Sequence, residues 1–429
     1  MSKVVTILSD SPSIPTGYRD QSVQLADCLV EYGYEVHFLG NAYMGSTMDK
    51  FKFVGENEHN FKLYGQTSQP YFADMISNHL KETKSDYFII LLDTFMLMDG
   101  QGKLPHGWFL NVDTSPAQTM FWFPSDGGGG MPVGCEQILK KVEGPVAMAR
   151  FGQKQVKDYH GLDVHHIPHG TDPNRFFKLP KEERLKIKQK FGLQDKFVIG
   201  VVARNQPRKF LDRTIKSIRF MNKIKDQIPN AVLFLHLDPN DQAQVFNMKN
   251  LIARYNLENR IIFSGMEVSK GFPRDKMNEV YNAMDIFFLS TSGEGFGIPI
   301  IEAMSAEVPV LVTNFTTTYE LVIENQSGLG VNLVGSDKVK VLTDTGPLEM
   351  DSKEYDDLVV NGTITGGWEV ERGIMDINDA AEKMIHLYNN PELRKQMGKN
   401  GRKAVIEKYD FKKVVAPQWK KLIESLKVK

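Results

Sequence analysis

The sequence predicts an α/β fold made of two parallel-sheet domains of similar size. Short apolar runs of strand length alternate with amphipathic helices along the chain, which is the pattern of parallel sheets covered by helices. This alternation is interrupted by a stretch rich in turn formers at residues 165–177, and it begins again at residue 197. With 429 residues, of which 41% are apolar, the chain is long enough for two domains with cores of their own.

The first half of the chain holds the elements of one domain, joined to the second by a boundary at about 170–192. We predict strands and helices here from apolar periodicity and from flanking turn residues. The predicted strands are residues 4–8, 36–39, 87–92, 108–112, 119–123 and 146–149, and the predicted helices are residues 21–32, 152–159 and 181–191.

The second half repeats the alternation and ends in helices. Its predicted strands are residues 197–203, 231–237, 260–263, 286–289 and 308–312, and its predicted helices are residues 211–221, 241–255, 276–284, 300–305, 377–388, 391–409 and 414–426. Residues 333–370 are different, because scattered glycines and Val/Thr alternation predict an insertion that carries a hairpin.

Bulk composition excludes several classes of protein. The formal charge of −1 gives no field that would attract nucleic acid, so a nucleic-acid partner is not indicated. Two cysteines, Cys28 and Cys135, form no disulfide framework, and a reducing, cytoplasmic compartment is the simple expectation. We expect no metal site, no signal peptide and no transmembrane helix, since the matching residue patterns do not occur.

The most informative segment runs from Glu294 to Glu302, two carboxylates that bracket a glycine-rich turn and the start of a helix. Gly295 and Gly297 let backbone N–H groups approach a ligand, and Pro299 suits a first helical position. Those amides and the helix dipole fit a phosphate, while the carboxylates fit hydroxyl groups attached to it. The segment indicates a sugar nucleotide; a plain turn with two solvated glutamates is the alternative.

A second pattern follows the strand predicted at residues 197–203. Arg204 and Lys209 lie in the loop at its carboxyl end, on the same edge of the sheet as Glu294. An arginine fork and a lysine point charge can neutralise a diphosphate. A solvated basic loop that caps the next helix is the alternative interpretation.

Together these residues resemble the retaining GT-B glycosyltransferases of the glycogen-synthase-like family 4. The resemblance rests on Arg204, Lys209 and the Glu-x7-Glu segment that starts at Glu294, and it covers roughly residues 145–330 and 372–425. It implies two Rossmann-like domains whose parallel sheets face each other across a deep cleft. The implied domains are residues 1–180 on the acceptor side and 190–408 on the nucleotide-sugar side, with residues 409–429 packing back toward the first.

The resemblance also implies roles for individual residues. Arg204 and Lys209 would hold the diphosphate, Glu302 the ribose hydroxyls and Glu294 the donor sugar. The remaining implied donor contacts are the amides of Gly295, Phe296, Gly297 and Ile298, the loop glycine Gly17, and Met266 and Val268 beside the base. The donor would be a UDP-sugar, with GDP- and ADP-sugars as alternatives, and no further cofactor is implied.

The chain departs from the family pattern in four ways. Gly17 stands alone where the family often has two adjacent glycines, residues 333–370 have no counterpart in the compact pattern, and two further positions differ. The family often has a histidine at the end of a strand beside the donor sugar, and this chain has Asp126, followed by four glycines. We expect Asp126 to take that place in catalysis. Phe210 follows Lys209, where the family commonly has glycine.

The implied reaction is transfer of a sugar to an acceptor hydroxyl with retention of configuration, by front-face substitution and without a metal. Two alternatives stay open at this point: another GT-B sugar-nucleotide enzyme such as an epimerase, and a non-catalytic sugar-nucleotide-binding protein. The sequence leaves the acceptor, the donor sugar, a peripheral membrane contact and a homo-oligomer undecided.

Overall fold

The structure of the protein, a computed structural model, describes residues 2–52, 58–98, 107–132, 134–222, 228–241, 244–267, 272–340 and 369–426. In these ranges the chain forms two parallel sheets with helices between most successive strands, and one antiparallel strand pair. The predicted α/β class and the predicted pair of parallel sheets are confirmed.

The first sheet has seven parallel strands in the order β3-β2-β1-β4-β5-β6-β7. Its strands are β1 (Val4–Asp10), β2 (Glu35–Asn41), β3 (Lys62–Tyr64), β4 (Tyr87–Leu91), β5 (Gln118–Phe123), β6 (Gly144–Ala147) and β7 (His165–His166). Its helices are α1 (Gly17–Glu31), α2 (Ile76–Glu82), α3 (Thr94–Met98), α4 (Cys135–Lys141) and α5 (Arg150–His160). Central strands β4 and β5 are buried at every residue, as expected for a sheet covered on both faces.

The second sheet has six parallel strands in the order β10-β9-β8-β11-β12-β13. Its strands are β8 (Phe197–Val202), β9 (Ala231–His236), β10 (Ile261–Phe263), β11 (Ile286–Leu289), β12 (Val310–Thr313) and β13 (Gly328–Val331). Helix α6 (Lys181–Lys190) leads into it, and the helices that follow are α7 (Leu211–Asn222), α8 (Met248–Arg254), α9 (Met277–Asn282) and α10 (Ile298–Ser305).

Two further strands, β14 (Leu333–Lys340) and β15 (Glu369–Met375), pair in antiparallel register, with Lys338 opposite Glu371. They are the two arms of the insertion predicted at residues 333–370. The part between them, residues 341–368, lies outside the described residues. The arms bring the chain back beside the carboxyl ends of the strands, which matters for the site below.

Three helices close the chain: α11 (Ile377–Asn389), α12 (Pro391–Ala404) and α13 (Ala416–Ser425). Helix α13 carries Trp419, whose buried ring lies 5.1 Å from that of Trp122 in β5, centroid to centroid. The last helix therefore packs on the first sheet. In the described part of the chain, every helix is too short or too polar to span a lipid bilayer.

Shorter helical segments complete the described structure. The 3₁₀ turns are Pro70–Phe72, Trp108–Asn111, Pro207–Lys209, Glu258–Arg260 and Arg274–Lys276, and the π-helical turns are Tyr319–Ile323, Val405–Tyr409 and Phe411–Val415.

Two predicted elements were wrong. Residues 108–112 form a 3₁₀ turn instead of a strand, because β4 and β5 pair directly and leave no place in the sheet between them. The helix predicted at residues 241–255 begins only at Met248. Its cap explains the late start, since the side chain of Asn247 accepts a hydrogen bond from the N–H of Asn250.

Candidate active site

The candidate site lies where loops of the two sheets meet at the carboxyl ends of their strands. Helix α1 begins at Gly17 on the first domain, and helix α10 begins at Ile298 on the second. A Cβ atom placed on Gly17 would lie 2.9 Å from Ile298 Cδ1, so the starts of these two helices face each other closely. Ligands of open α/β sheets bind at this edge.

Glu294 lies at the centre of the site, on the loop between β11 and α10. Its side chain is buried, and each carboxylate oxygen has its own cation. Lys209 Nζ lies 2.5 Å from Oε1, and Arg208 Nη1 lies 2.8 Å from Oε2. Both cations come from the 3₁₀ turn that follows β8, so the loops of two neighbouring strands are joined by this cluster.

Burial and charge shift the ionisation of the whole cluster. Burial opposes ionisation of Glu294, but Arg208 and Lys209 outweigh it and lower the pKa of Glu294 to about 2. Burial and the neighbouring Arg208 lower the pKa of Lys209. Burial also opposes the charge on Arg208, yet Glu294 and Asp126 raise its pKa above the usual value. The site thus holds two cations and one carboxylate in a poorly hydrated place, which suits an anionic ligand.

Backbone contacts fix the turn that carries the two cations. The carbonyl of Arg208 accepts hydrogen bonds from the N–H of Ser292 at 2.7 Å and from its hydroxyl at 2.9 Å. Phe210, directly after Lys209, has φ 45° and ψ 45°, a left-handed conformation that glycine adopts at less cost. This conformation explains why glycine suits the position. Phe210 adopts it at some cost in backbone energy.

Asp126 reaches the same cluster from the first domain. It follows β5, and its carboxylate lies 3.8 Å from Arg208 Nε and 3.2 Å from Arg372 Nη2. Arg208 therefore lies between the carboxylates of Asp126 and Glu294, one from each domain. The structure brings Asp126 into the predicted site; its role in catalysis stays a prediction.

The turn between Glu294 and α10 packs tightly against the first domain. A Cβ atom on Gly295 would lie 2.7 Å from that of Pro124, and Gly297 has φ 102° at the helix cap. Pro299 is the second helical residue, one later than predicted. The Phe296 ring is buried 5.3 Å from His169, so only the Phe296 backbone can serve a ligand.

His169 lies inside this aromatic packing. Among the described residues neither ring nitrogen has a hydrogen-bond partner, and burial lowers the pKa of His169 to about 3. The imidazole is therefore neutral and packs against Trp122 at 4.3 Å between centroids. These contacts favour a structural role between the domains.

Glu302 lies on α10, eight residues after Glu294. The hydroxyl of Tyr281 donates a hydrogen bond to its Oε2 at 2.6 Å, and burial raises the pKa of Glu302 to about 8. The carboxyl group lines a polar pocket between the domains, together with Asp20, Gln24 and Arg175. A half-buried carboxyl group in a polar pocket can accept hydrogen bonds from ligand hydroxyls.

The structure separates the remaining predicted residues from this cluster. Arg204 is exposed, and its Nε lies 3.9 Å from Asp241 Oδ2, so Arg208 and not Arg204 contacts Glu294 here. Met266 is half-buried on the loop after β10, and Val268 lies outside the described residues.

Three residues of the site are absent from the sequence predictions. Arg208 carries a usable signal, because it lies directly beside Lys209 in the sequence. Asp93 follows β4 at the same sheet edge, accepts a 2.6 Å hydrogen bond from Tyr18, and has a pKa raised by burial to about 6. Its place after an apolar strand was a usable signal. The third, Arg372, carried no sequence signal.

The fold, two parallel-sheet domains with a cation–carboxylate cluster between them, has known counterparts, and so does part of the sequence. Residues 183–334 match the family model described as "Glycosyl transferases group 1". This segment is therefore similar to the group 1 glycosyltransferases, and the two-sheet fold is GT-B. The predicted fold is confirmed, and the match agrees with the predicted enzyme class.

Relatives agree with this family but match only parts of the chain. Mannosylfructose-phosphate synthase of Agrobacterium fabrum is 31% identical over 166 residues, which are 37% of this chain and 34% of that protein. The lipopolysaccharide core biosynthesis mannosyltransferase LpsB of Rhizobium meliloti is 27% identical over 188 residues, which are 44% of this chain and 50% of that protein. The chain thus spans a third to a half of the length of these relatives.

Solved structures match over the whole chain at the level of fold. Sucrose-phosphate synthase from Thermosynechococcus elongatus has a TM-score of 0.68 at 15% identity, covering 99% of this chain and 98% of its own. Anabaena Alr3699/HepE in complex with UDP-glucose also has a TM-score of 0.68, at 14% identity, covering 99% of this chain and 100% of its own. Identities this low show a shared GT-B fold and leave the substrate open.

Proposed function

We propose that the protein is a retaining glycosyltransferase that moves a sugar from a nucleoside-diphosphate sugar to an acceptor hydroxyl. One observation carries the proposal: Glu294 is held between Lys209 and Arg208, at the sheet edge, on the short turn that leads into α10. Cations beside a helix N-terminus fit a diphosphate, and the carboxylate fits the hydroxyls of the sugar attached to it.

The donor would replace one of these ion pairs. Lys209 would leave Glu294 for the diphosphate, and Glu294 would accept hydrogen bonds from the donor sugar. Arg204, from the loop after β8, would turn inward to the same diphosphate. Glu302 would accept hydrogen bonds from the ribose, and Met266 would lie near the base. In this exchange every buried charge keeps a partner, which limits its cost.

The reaction we propose is a front-face substitution. The bond between the anomeric carbon and the diphosphate oxygen breaks, and the acceptor oxygen bonds to that carbon from the same face. The acceptor proton passes to the departing phosphate oxygen. Lys209 and Arg204 stabilise the charge that develops there, without a metal. Asp126, opposite Glu294, would contact the donor sugar or orient the acceptor.

One relative and one structural neighbour bear on the choice of donor. A relative from Mycolicibacterium smegmatis is a GDP-mannose-dependent mannosyltransferase, and Anabaena HepE was solved with UDP-glucose. We favour a UDP-sugar, with GDP-mannose as the first alternative to test.

Release of nucleoside diphosphate from a panel of UDP-, GDP- and ADP-sugars tests the function. We expect one sugar nucleotide to be hydrolysed slowly, the activity to survive EDTA, and Glu294→Gln to abolish it. Proton NMR of the first glycoside formed should show the anomeric configuration of the donor. Binding of a nucleotide without any turnover would instead indicate a binding protein, and conversion of the sugar without release of diphosphate an epimerase-like enzyme.

A further inference from the structure

Strand β15 of the insertion contacts loops of both domains at the site. Gly128 and Glu371 exchange two backbone hydrogen bonds, each with an N···O distance of 2.9 Å. Two residues later, the N–H of Gly373 donates to the carbonyl of Ser292, also at 2.9 Å. Gly128 belongs to the first domain and Ser292 to the second. Strand β15 is therefore hydrogen-bonded both to the loop that carries Asp126 and to the loop that carries Glu294.

Arg372 lies between these two attachments, and its side chain is buried. Its Nη1 donates to the backbone carbonyl of Asp126 at 2.5 Å, and its Nη2 lies 3.2 Å from both carboxylate oxygens of the same residue. A buried guanidinium needs a partner for its charge, and the planar fork of arginine favours one orientation of that partner. Arg372 thus fixes both the backbone and the carboxylate of Asp126.

The close approach of these loops explains two glycines. A Cβ atom on Gly127 would lie 2.5 Å from the Cβ of Val370, and one on Gly293 would lie 2.0 Å from the carbonyl oxygen of Asp126. Real Cβ atoms essentially never come this close. Gly127 and Gly293 are therefore required by the contact between β15 and the two loops.

We propose that Arg372 is a positioning residue that holds Asp126 opposite Glu294, and that β15 sets the spacing of these two carboxylates for the donor sugar. The inference rests on the transferase function proposed above. Arg372 acts through Asp126, and through Asp126 on Arg208. Arg208 Nε lies 3.8 Å from the Asp126 carboxylate. Without Arg372, Asp126 keeps one cation among the described residues, Arg208, and that contact is longer. The Asp126 carboxylate then loses its fixed orientation.

The test compares Arg372→Gln, Arg372→Lys, Asp126→Asn and the double variant Arg372→Gln/Asp126→Asn, with the exposed Arg254→Gln on α8 as control. We expect Arg372→Gln to lower kcat for donor turnover by about 10²-fold, the scale for a misplaced group, with KM for the donor changed less than about threefold. Arg372→Lys should recover part of kcat. The double variant should lose less kcat than the two single losses combined, because both changes disrupt the ion pair between Arg372 and the Asp126 carboxylate.

A second measurement needs no turnover. Hydrogen exchange of the peptide that contains Gly128 should be faster in Arg372→Gln and Arg372→Lys than in the wild type, and unchanged in Arg254→Gln. If Arg372→Gln does not fold, Arg372→Lys alone is compared with the wild type. Wild-type kcat together with wild-type exchange in an Arg372 variant would overturn the inference, and so would fully additive losses in the double variant. If the wild type turns over no sugar nucleotide, the proposed function fails, while the exchange rates still decide whether Arg372 holds the loop.

Discussion

Lys209 Nζ lies 2.5 Å from Glu294 Oε1, and this pair joins the loops that follow two neighbouring strands of the second sheet. Both side chains are buried. A buried lysine close to a carboxylate can exchange that partner for a ligand phosphate without leaving either charge in an apolar place. The pair is therefore the first place at which the proposed function can be tested by substitution.

Lys209→Ala should lower kcat for release of nucleoside diphosphate by about 10²-fold or more, the scale for loss of one preorganised donor. The matched control is Lys216→Ala, which removes a half-exposed lysine paired with Asp212 at 2.6 Å on α7. Such surface pairs contribute about 0.5 kcal/mol or less, so the control should keep wild-type kcat. Near-wild-type turnover in Lys209→Ala would contradict the assignment of the diphosphate site.

Glu294→Gln should change both stability and ligand response. The carboxylate has a folded-state pKa lowered from 4.5 to about 2, so it stabilises the fold above pH 4.5, and this stabilisation is lost as the pH falls toward 2. Breaking a buried ion pair costs about 3–5 kcal/mol, an upper bound here because Arg208 is partly exposed. We therefore expect a lower Tm at pH 7 and a smaller dependence of Tm on pH in acid.

The same variant leaves Lys209 and Arg208 without the carboxylate of Glu294. An added diphosphate can then take over that role, so its binding should stabilise the variant more than the wild type. We expect UDP or GDP to raise the Tm of Glu294→Gln by more than it raises that of the wild type. Differential scanning fluorimetry with and without each nucleotide measures this. An equal shift in both proteins would show that the diphosphate binds away from Glu294.

Periodicity in the sequence was sufficient for most strands, because parallel strands buried on both faces leave clear apolar runs. The strand β11 is one such case, predicted at residues 286–289 and found as Ile286–Leu289. Trp108 and Phe109 show where this fails. A short apolar run is equally compatible with a strand and with a buried turn, and only the pairing of β4 with β5 decides between them.

The site was predictable where its residues are close in sequence. Glycines and carboxylates between Glu294 and Glu302 define a turn before a helix, and the structure has that turn. The choice between Arg204 and Arg208 was not predictable, because it depends on how the 3₁₀ turn at Pro207–Lys209 directs each side chain. The contact of Arg372 with Asp126 joins residues 246 positions apart, and no local pattern encodes it.

Glu302→Gln should remove a pH dependence of stability. Burial raises the pKa of Glu302 from 4.5 to about 8, so the folded state keeps a proton that the unfolded state releases. For such a group, stability is highest below pH 4.5, falls as the pH rises, and levels off above pH 8. Glutamine resembles the protonated acid. The variant should therefore gain stability relative to the wild type between pH 4.5 and 8.

Urea unfolding at pH 4.5, 6, 7 and 8.5 measures this difference in the free energy of unfolding. The control is Glu382→Gln, a change at an exposed glutamate of α11. A difference between Glu302→Gln and the wild type that stays constant over this range would contradict the raised pKa. Because Glu320 also has a pKa raised by burial, to about 7, the comparison must use the difference and not the wild-type curve alone.

Gly17→Val should hinder the approach of the two domains without unfolding either one. A Cβ atom at Gly17 already lies 2.9 Å from Ile298 Cδ1, and valine adds two methyl groups in the same place. Gly17 has no left-handed conformation and is exposed at the start of α1, so its own backbone tolerates the change. We expect a lower kcat with a wild-type far-UV circular dichroism spectrum.

The double variant Gly17→Val/Ile298→Val distinguishes a clash from other causes. Valine at position 298 removes Cδ1 but keeps the backbone N–H at the start of α10, so it relieves the contact and leaves the anion site in place. The lost kcat should return in part, and the radius of gyration from small-angle X-ray scattering should move back toward the wild-type value. A double variant as slow as Gly17→Val would show that Gly17 serves the donor through its backbone and not by leaving room for Ile298.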